Sequence, residues 1–238
     1  MEKINKLPVS EVFYSIQGEG QTMGVPAVFL RLGGCNILCQ SESWICDTIE
    51  VWRKSKALPF EEVLGEEYEK LLLSRDVHLV ITGGEPLLHQ KMIYEFLLYF
   101  VQKHKFYPIV EIETNGTIEP DANIQAYVDY WNVSPKLSNA GAQNSKEVRI
   151  NKSALWYFKS EGRKTIFKFV IEKQEDFEEI KTDYLVDIYK EQIVLMPAGS
   201  SQDELLRTRL LVAELCRENK VRYSERLHVV IWNMKTGV

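Results

Sequence analysis

Six short apolar runs, separated by longer amphipathic stretches, constrain the fold of this chain more than any single motif. The runs lie at residues 77–82 (VHLVIT), 109–113, 131–134, 164–171, 192–196 and 227–232. Between several of them, residues 89–103, 175–189 and 202–219 carry apolar side chains at helical spacing. Apolar strands alternating with amphipathic helices imply a parallel sheet covered by helices, either an open sheet or a barrel. About six strands are fewer than the eight of a complete (β/α) barrel. The expected fold is therefore α/β, a reduced or partial barrel of about six mainly parallel strands, with residues 1–238 as a single domain.

Two strand-like runs come earlier, at 10–16 and 26–32, punctuated by Gly18, Gly20 and Gly24. Residues 59–73 place Phe60, Val63, Leu64, Tyr68, Leu71 and Leu72 near helical spacing behind Pro59, which predicts one helix. Residues 136–152 are polar and rich in Gly, Asn and Ser, and predict a loop near the site. Active sites of parallel α/β folds lie at the carboxyl ends of the strands. The polar motifs of this chain nearly all fall at such ends.

Three of the four cysteines, Cys35, Cys39 and Cys46, sit on one segment directly after the second strand and a Gly33-Gly34 break. The spacing C-x3-C-x6-C is too irregular for a four-thiolate structural zinc site, which is usually built from two close pairs. Cys216 lies far away in a helical run and reads as a small buried apolar residue. Three thiolates on one loop favour an iron-sulfur cluster with one open iron, or a catalytic metal with an exogenous ligand.

A net charge of −5 argues against a general binder of nucleic-acid backbone, which needs a basic surface. No apolar run approaches a membrane span and residues 1–10 lack a signal-peptide core, so the expected address is the cytosol. A small-molecule substrate fits this composition better than nucleic acid or a membrane.

Read together, the cysteine loop within Gly-Gly-Cys-Asn and Cys-Asp-Thr, the upstream YSIQGEG, and the downstream ITGGEPLL, ETNGT, VSPK and RYSERLH resemble one family. It is the 7-carboxy-7-deazaguanine synthase family of radical S-adenosylmethionine enzymes, of the queuosine pathway. The match runs in order from about residue 11 onward. It implies the partial barrel of radical S-adenosylmethionine enzymes, a [4Fe-4S] cluster on Cys35, Cys39 and Cys46, S-adenosylmethionine at the open iron, and magnesium held through Thr48. The implied reaction turns 6-carboxy-5,6,7,8-tetrahydropterin into 7-carboxy-7-deazaguanine with loss of ammonia, the work of a carbon-nitrogen lyase. An external flavodoxin-like or ferredoxin-like electron donor and a homodimer are implied as well.

The resemblance also distributes roles. Ile45, Asp47, Gly83, Gly84, Glu85, Ser134, Pro135, Lys136 and Lys168 are the implied contacts of S-adenosylmethionine, with Glu85 suited to its ammonium group. Lys168 stands between large apolar residues, and snorkelling to water is an equal alternative for it. Substrate contacts fall on Ile16, Gln17, Gly18, Glu19, Arg31 and Thr82. An amide or carboxylate pairs with a pterin edge, and an arginine grips a carboxylate. Arg31 lies in an apolar strand and needs a partner, either the substrate or an internal acid such as Glu19 or Asp47. His228 reads as a satisfied buried histidine.

The chain departs from the family pattern in the six residues, Gln40 to Ile45, between Cys39 and Cys46. They are polar apart from Trp44-Ile45 and can bulge outward without moving the sulfurs. Two other functions remain open on these residues, a protein-activating radical enzyme and a non-catalytic homologue. Anaerobic reconstitution is expected to load about four irons per chain, the content of a [4Fe-4S] cluster. Iron well below that value would remove the cluster and the implied activity.

Overall fold

The computed structural model describes residues 5–40, 46, 48–235 and 237. Among them, nine strands make one sheet: β1 (Lys6–Ile16), β2 (Pro26–Leu32), β3 (Lys56–Pro59), β4 (His78–Gly83), β5 (Ile109–Thr114), β6 (Tyr130–Val133), β7 (Thr165–Ile171), β8 (Ile193–Pro197) and β9 (Arg222–Tyr223). Their order is β3-β1-β2-β4-β5-β6-β7-β8-β9. Every pair from β2 to β9 is parallel, while β1 runs antiparallel to β2 and β3. The helices are α1 (Ile49–Trp52), α2 (Phe60–Val63), α3 (Gly65–Leu71), α4 (Gln90–His104), α5 (Ala122–Gln125), α6 (Lys146–Arg149), α7 (Lys152–Ser160), α8 (Gln174–Asp183), α9 (Gln202–Asn219) and α10 (Leu227–Trp232). The α/β class with a mainly parallel sheet and covering helices is as expected.

Four local expectations are corrected. The single helix at 59–73 is two short helices, because Gly65, the first residue of the second, takes a left-handed conformation at φ +71°. The helix at 175–189 stops at Asp183, and turns at Tyr184 and Asp187 follow. The run at 227–232 is the helix α10, not a strand; a six-residue run with five apolar side chains fits either state, and β8 is already paired with β9. Within 136–152, a 3-10 turn at Ser138–Ala140 and α6 order much of the expected loop.

Alternation along the strands gives the sheet two unlike faces. Leu79 and Ile81, Val110 and Ile112, Trp131 and Val133, and Phe167 and Phe169 join one apolar cluster with the helices. From α4 that cluster receives Ile93, Phe96, Leu97 and Phe100, at the spacing of one helical stripe. Trp131 packs edge-on against Tyr157 and Phe158 of α7. Each such side chain contributes roughly 1.5–3 kcal/mol by leaving water.

The opposite face is polar and curls around the β1–β2 loop. In a flat sheet β2 and β7 would lie four strand spacings apart, about 19 Å at 4.8 Å each. Yet Glu19, just after β1, bonds Lys168 of β7 at 2.6 Å. At the floor of this concave face the fully buried Glu111 accepts Thr22 Oγ1 at 2.7 Å, Asn132 Nδ2 at 3.0 Å and Gln17 Nε2 at 3.5 Å, and meets His78 Nδ1 at 2.5 Å. One carboxylate thus ties the β1–β2 loop to β4, β5 and β6. Glu111→Ala leaves the buried Thr22, Asn132 and His78 groups without this acceptor and is expected to cost on the order of 3–5 kcal/mol. A urea unfolding curve within about 0.5 kcal/mol of the parent, as for an ordinary surface substitution, would contradict this role.

Candidate active site

The cysteine loop leaves the carboxyl end of β2, where Gly33 N donates to Pro8 O at 2.8 Å. Cys35 and Cys46 pack against a small apolar cluster formed by Ile37, Cys39 and Ala140. Cys46 N donates to Cys39 O at 2.9 Å, so the six-residue interval leaves and rejoins the loop at one point. Residues 41–45, which carry most of the expected outward bulge, lie outside the described residues. Ile45 and Asp47, the expected cofactor contacts, also lie outside them. Cys216 is buried in α9, with its thiol on Arg222 O at 3.4 Å.

The three thiols share one small apolar cluster with Ile37 and Ala140, and in a [4Fe-4S] cluster each thiolate would bind its own iron corner. Burial pushes the Cys35 thiol up to about 11, against a smaller opposing pull from the Ile37 amide. A thiolate there needs a positive partner, which bound iron provides.

The turn after β4 is stitched onto this loop. Glu85 N donates to Gly34 O at 2.9 Å, and His89 Nε2 donates to Gly33 O at 2.7 Å. Gly84 lies so close that a Cβ on it would collide with Gly34 O and Cys35 Cβ. Gly84 therefore stands directly beside the first cysteine, while a Cβ on Gly83 would meet the backbone of Leu32 at the end of β2. Glu85 is the residue expected to meet the ammonium group of S-adenosylmethionine. It is fully buried, accepting Leu87 N at 3.0 Å, Thr114 Oγ1 at 2.8 Å and Asn115 N at 2.7 Å. Burial pushes its carboxyl up, opposed by those donors. Its side chain caps the turn after β4 and ties it to the end of β5.

Residues 113–117 (ETNGT) act on the same loop from β5. Asn115 Nδ2 donates to Asn36 Oδ1 at 2.8 Å, and Asn36 Nδ2 donates to Thr117 Oγ1 at 2.7 Å. From β6, Ser134 N donates to Thr114 O at 2.7 Å and Lys136 Nζ donates to Ser134 Oγ at 3.0 Å. Lys136 is near enough to Cys35 and Glu85 to bias both electrostatically. Pro135 is buried between them. The Thr48 hydroxyl, opening α1, stands 3.3 Å from Cys46 Sγ.

A second group gathers lower on the concave face. Gln17 Nε2 donates to Glu113 at 3.1 Å, and Lys168 bridges Glu113 at 2.9 Å and Glu19 at 2.6 Å. Lys168 is 3% exposed, so it does not snorkel, and its ammonium is spent on these two acids rather than at the cysteine loop. Burial raises the Glu19 carboxyl, but Lys168, Arg226 and His228 outweigh it and hold Glu19 well below the usual range. Burial and neighbouring Glu19 and Glu111 instead push Glu113 up against the pull of Lys168. Arg226 Nε bonds Glu19 at 3.0 Å and Leu227 N bonds Gly18 O at 2.8 Å, clamping the loop after Ile16. His228 is not the expected buried histidine: it is half-buried against Gly18, 3.9 Å from Glu19. Arg31 pairs with Glu11 at 2.7 Å, opposite it in the ladder, rather than with Glu19. Thr82 is its neighbour on β4.

Sequence reading missed Asn36, Thr114, Asn115 and Glu111. The order of GGCN and ETNGT along the chain could have flagged the first three, whereas nothing local marks Glu111.

A model of the 4Fe-4S single cluster domain family matches residues 16–153. The 7-carboxy-7-deazaguanine synthase of Halobacterium salinarum is 35% identical over 95% of this chain and 91% of its own length. That of Pyrobaculum aerophilum is 33% identical over 100% of both. The chain belongs to the 7-carboxy-7-deazaguanine synthase family. The crystal structure of QueE from Escherichia coli superposes with a TM-score of 0.68 at 27% identity, covering 94% of this chain and 95% of that one. Membership makes the chain a radical enzyme with an iron-sulfur cluster. The cluster-domain match spans the cysteine loop, the β4 turn and residues 134–136, while Lys168 and the Arg226–His228 clamp lie beyond it.

Gly84→Ala is expected to destabilise the fold by about 1–3 kcal/mol through overpacking and to displace Cys35. The check is melting midpoint together with iron uptake; uptake equal to the parent would contradict the close approach.

Proposed function

We propose that the chain converts 6-carboxy-5,6,7,8-tetrahydropterin to 7-carboxy-7-deazaguanine with loss of ammonia, with Cys35, Cys39 and Cys46 holding the cluster. The observation that carries this reading is the direct seating of Gly84 and Glu85 N on Gly34 and Cys35. It puts a glycine backbone, open to a close-lying ligand, beside the first thiolate. When bound, the cluster and S-adenosylmethionine supply the electron and the hydrogen-abstracting chemistry.

The chain's own part is to bind, orient and exclude water. Gly83 and Gly84 offer backbone groups to S-adenosylmethionine on one side, and Ser134, Pro135 and Lys136 line the other. Gln17, Gly18 and Glu19, with Arg31 and Thr82, present amide, carboxylate and guanidinium groups to a carboxylated pterin on the concave face. Glu113, raised by burial, is the carboxyl of that group best able to hold a proton. Lys168 balances Glu19 and keeps the loop bearing Gln17 in place. Thr48 offers a hydroxyl to magnesium, which takes few protein ligands and completes its shell with water and substrate oxygens. A cytoplasmic homodimer reduced by a small electron-transfer protein completes the reading.

The experiment is turnover of reconstituted protein with S-adenosylmethionine, reductant, magnesium and the carboxytetrahydropterin, followed by mass spectrometry. The expected result is 7-carboxy-7-deazaguanine formed only when all are present. Substrate-independent 5'-deoxyadenosine without that product points to a protein-activating enzyme. No cleavage of S-adenosylmethionine points to a non-catalytic homologue.

A further inference from the structure

A segment remote in sequence straps the cysteine loop from outside. Gln143 Nε2 donates to Leu38 O at 2.6 Å and to Gln40 O at 2.9 Å, the carbonyls of the residues flanking Cys39. Asn144 Nδ2 donates to the same Leu38 O at 2.8 Å and to Ala140 O at 2.9 Å. Gln40 N donates to Ala140 O at 3.0 Å, and Cys39 packs against Ala140. Gly141, at φ +108°, allows this approach, because a Cβ there would collide with Gln40 O and the Gln143 side chain.

The strap is anchored at its base. Arg149, 6% exposed, donates through Nε to Asn144 O at 3.0 Å and through Nη1 to Lys136 O at 2.7 Å and Glu179 at 2.9 Å. Glu179 of α8 also accepts Ser138 N at 2.9 Å, and Tyr184 OH donates to Lys136 O at 2.9 Å. The strap, the Ser134–Lys136 turn and α8 therefore form one hydrogen-bonded body that reaches to Cys39.

The need for it follows from the spacing. Cys39 is the middle cysteine and the last before the six-residue interval, whose ends meet through the Cys46 N to Cys39 O bond. A ligand outside regular secondary structure opens readily unless its backbone is held. The side chains of residues 143 and 144 hold the carbonyls on both sides of it.

We infer that Gln143 and Asn144 are positioning residues for Cys39 and set how firmly this chain retains its cluster. The inference rests on the cluster reading of the three cysteines. Its test uses the reconstituted full chain and reads iron loss to a ferrous chelator and decay of the cluster's visible absorbance. Gln143→Glu keeps the shape but removes the donors; Gln143→Lys restores a donor of another kind. Both change an exposed side chain, so the melting midpoint of the metal-free protein should move by no more than a few degrees.

Gln143→Glu is expected to lose iron about tenfold faster than the parent, as two lost hydrogen bonds imply, with Gln143→Lys close to the parent rate. Asn144→Asp should behave like Gln143→Glu. Parent-like retention in Gln143→Glu, or equal loss in the Glu and Lys variants, overturns the inference while leaving the cluster reading intact. A parent that takes up no iron overturns both.

Discussion

The meeting of two glycine-bearing turns, Gly33-Gly34 after β2 and Gly83-Gly84 after β4, is the contact on which the site depends. β2 and β4 are parallel neighbours, so their carboxyl ends emerge side by side. The Glu85 N to Gly34 O bond joins those ends, and Gly84 leaves no room for a side chain between them. The buried Glu85 carboxylate then extends the joint to β5, and Asn36 with Asn115 and Thr117 extends it again. A cluster held at Cys35 would rest on backbone fixed by three adjacent strands.

The same sheet solves an opposite problem on its concave face. Charged groups removed from water must find partners, and here they do so in two layers. Glu111 collects neutral donors and His78 at the floor, while Lys168 neutralises Glu19 and Glu113 above it. Both layers hold the β1–β2 loop, and the segment Arg226–His228 grips that loop from behind. The loop proposed to meet the substrate is thereby as constrained as the loop proposed to hold the cluster.

Much of this was legible in the sequence because it is periodic or local. The parallel order follows from apolar runs such as 77–82 and 109–113, and the three cysteines identify their own loop. What was not legible depends on pairs far apart in the chain. Lys168 reads as an awkward cation until Glu19 is brought to it from 149 positions away. Glu85 reads as a partner for an ammonium group, and its bonds to Thr114 and Asn115, 29 and 30 positions away, appear only in the fold. Glu111 alternates with apolar neighbours as any strand acid does, and only the curl of the sheet reveals its four partners. At 227–232 the ambiguity is physical, since a short, mainly apolar run fits strand or helix and β8, already paired with β9, leaves it no strand to join.

The account stands or falls on whether the cysteine loop and the β4 turn form a single site for cluster and S-adenosylmethionine. The most direct measurement is the electron paramagnetic resonance spectrum of the reduced, reconstituted protein before and after addition of S-adenosylmethionine. A reduced [4Fe-4S] signal whose shape changes on addition, and changes less in Gly84→Ala that still carries iron, is the predicted result. A cluster signal that S-adenosylmethionine leaves unaltered in the parent protein would contradict it.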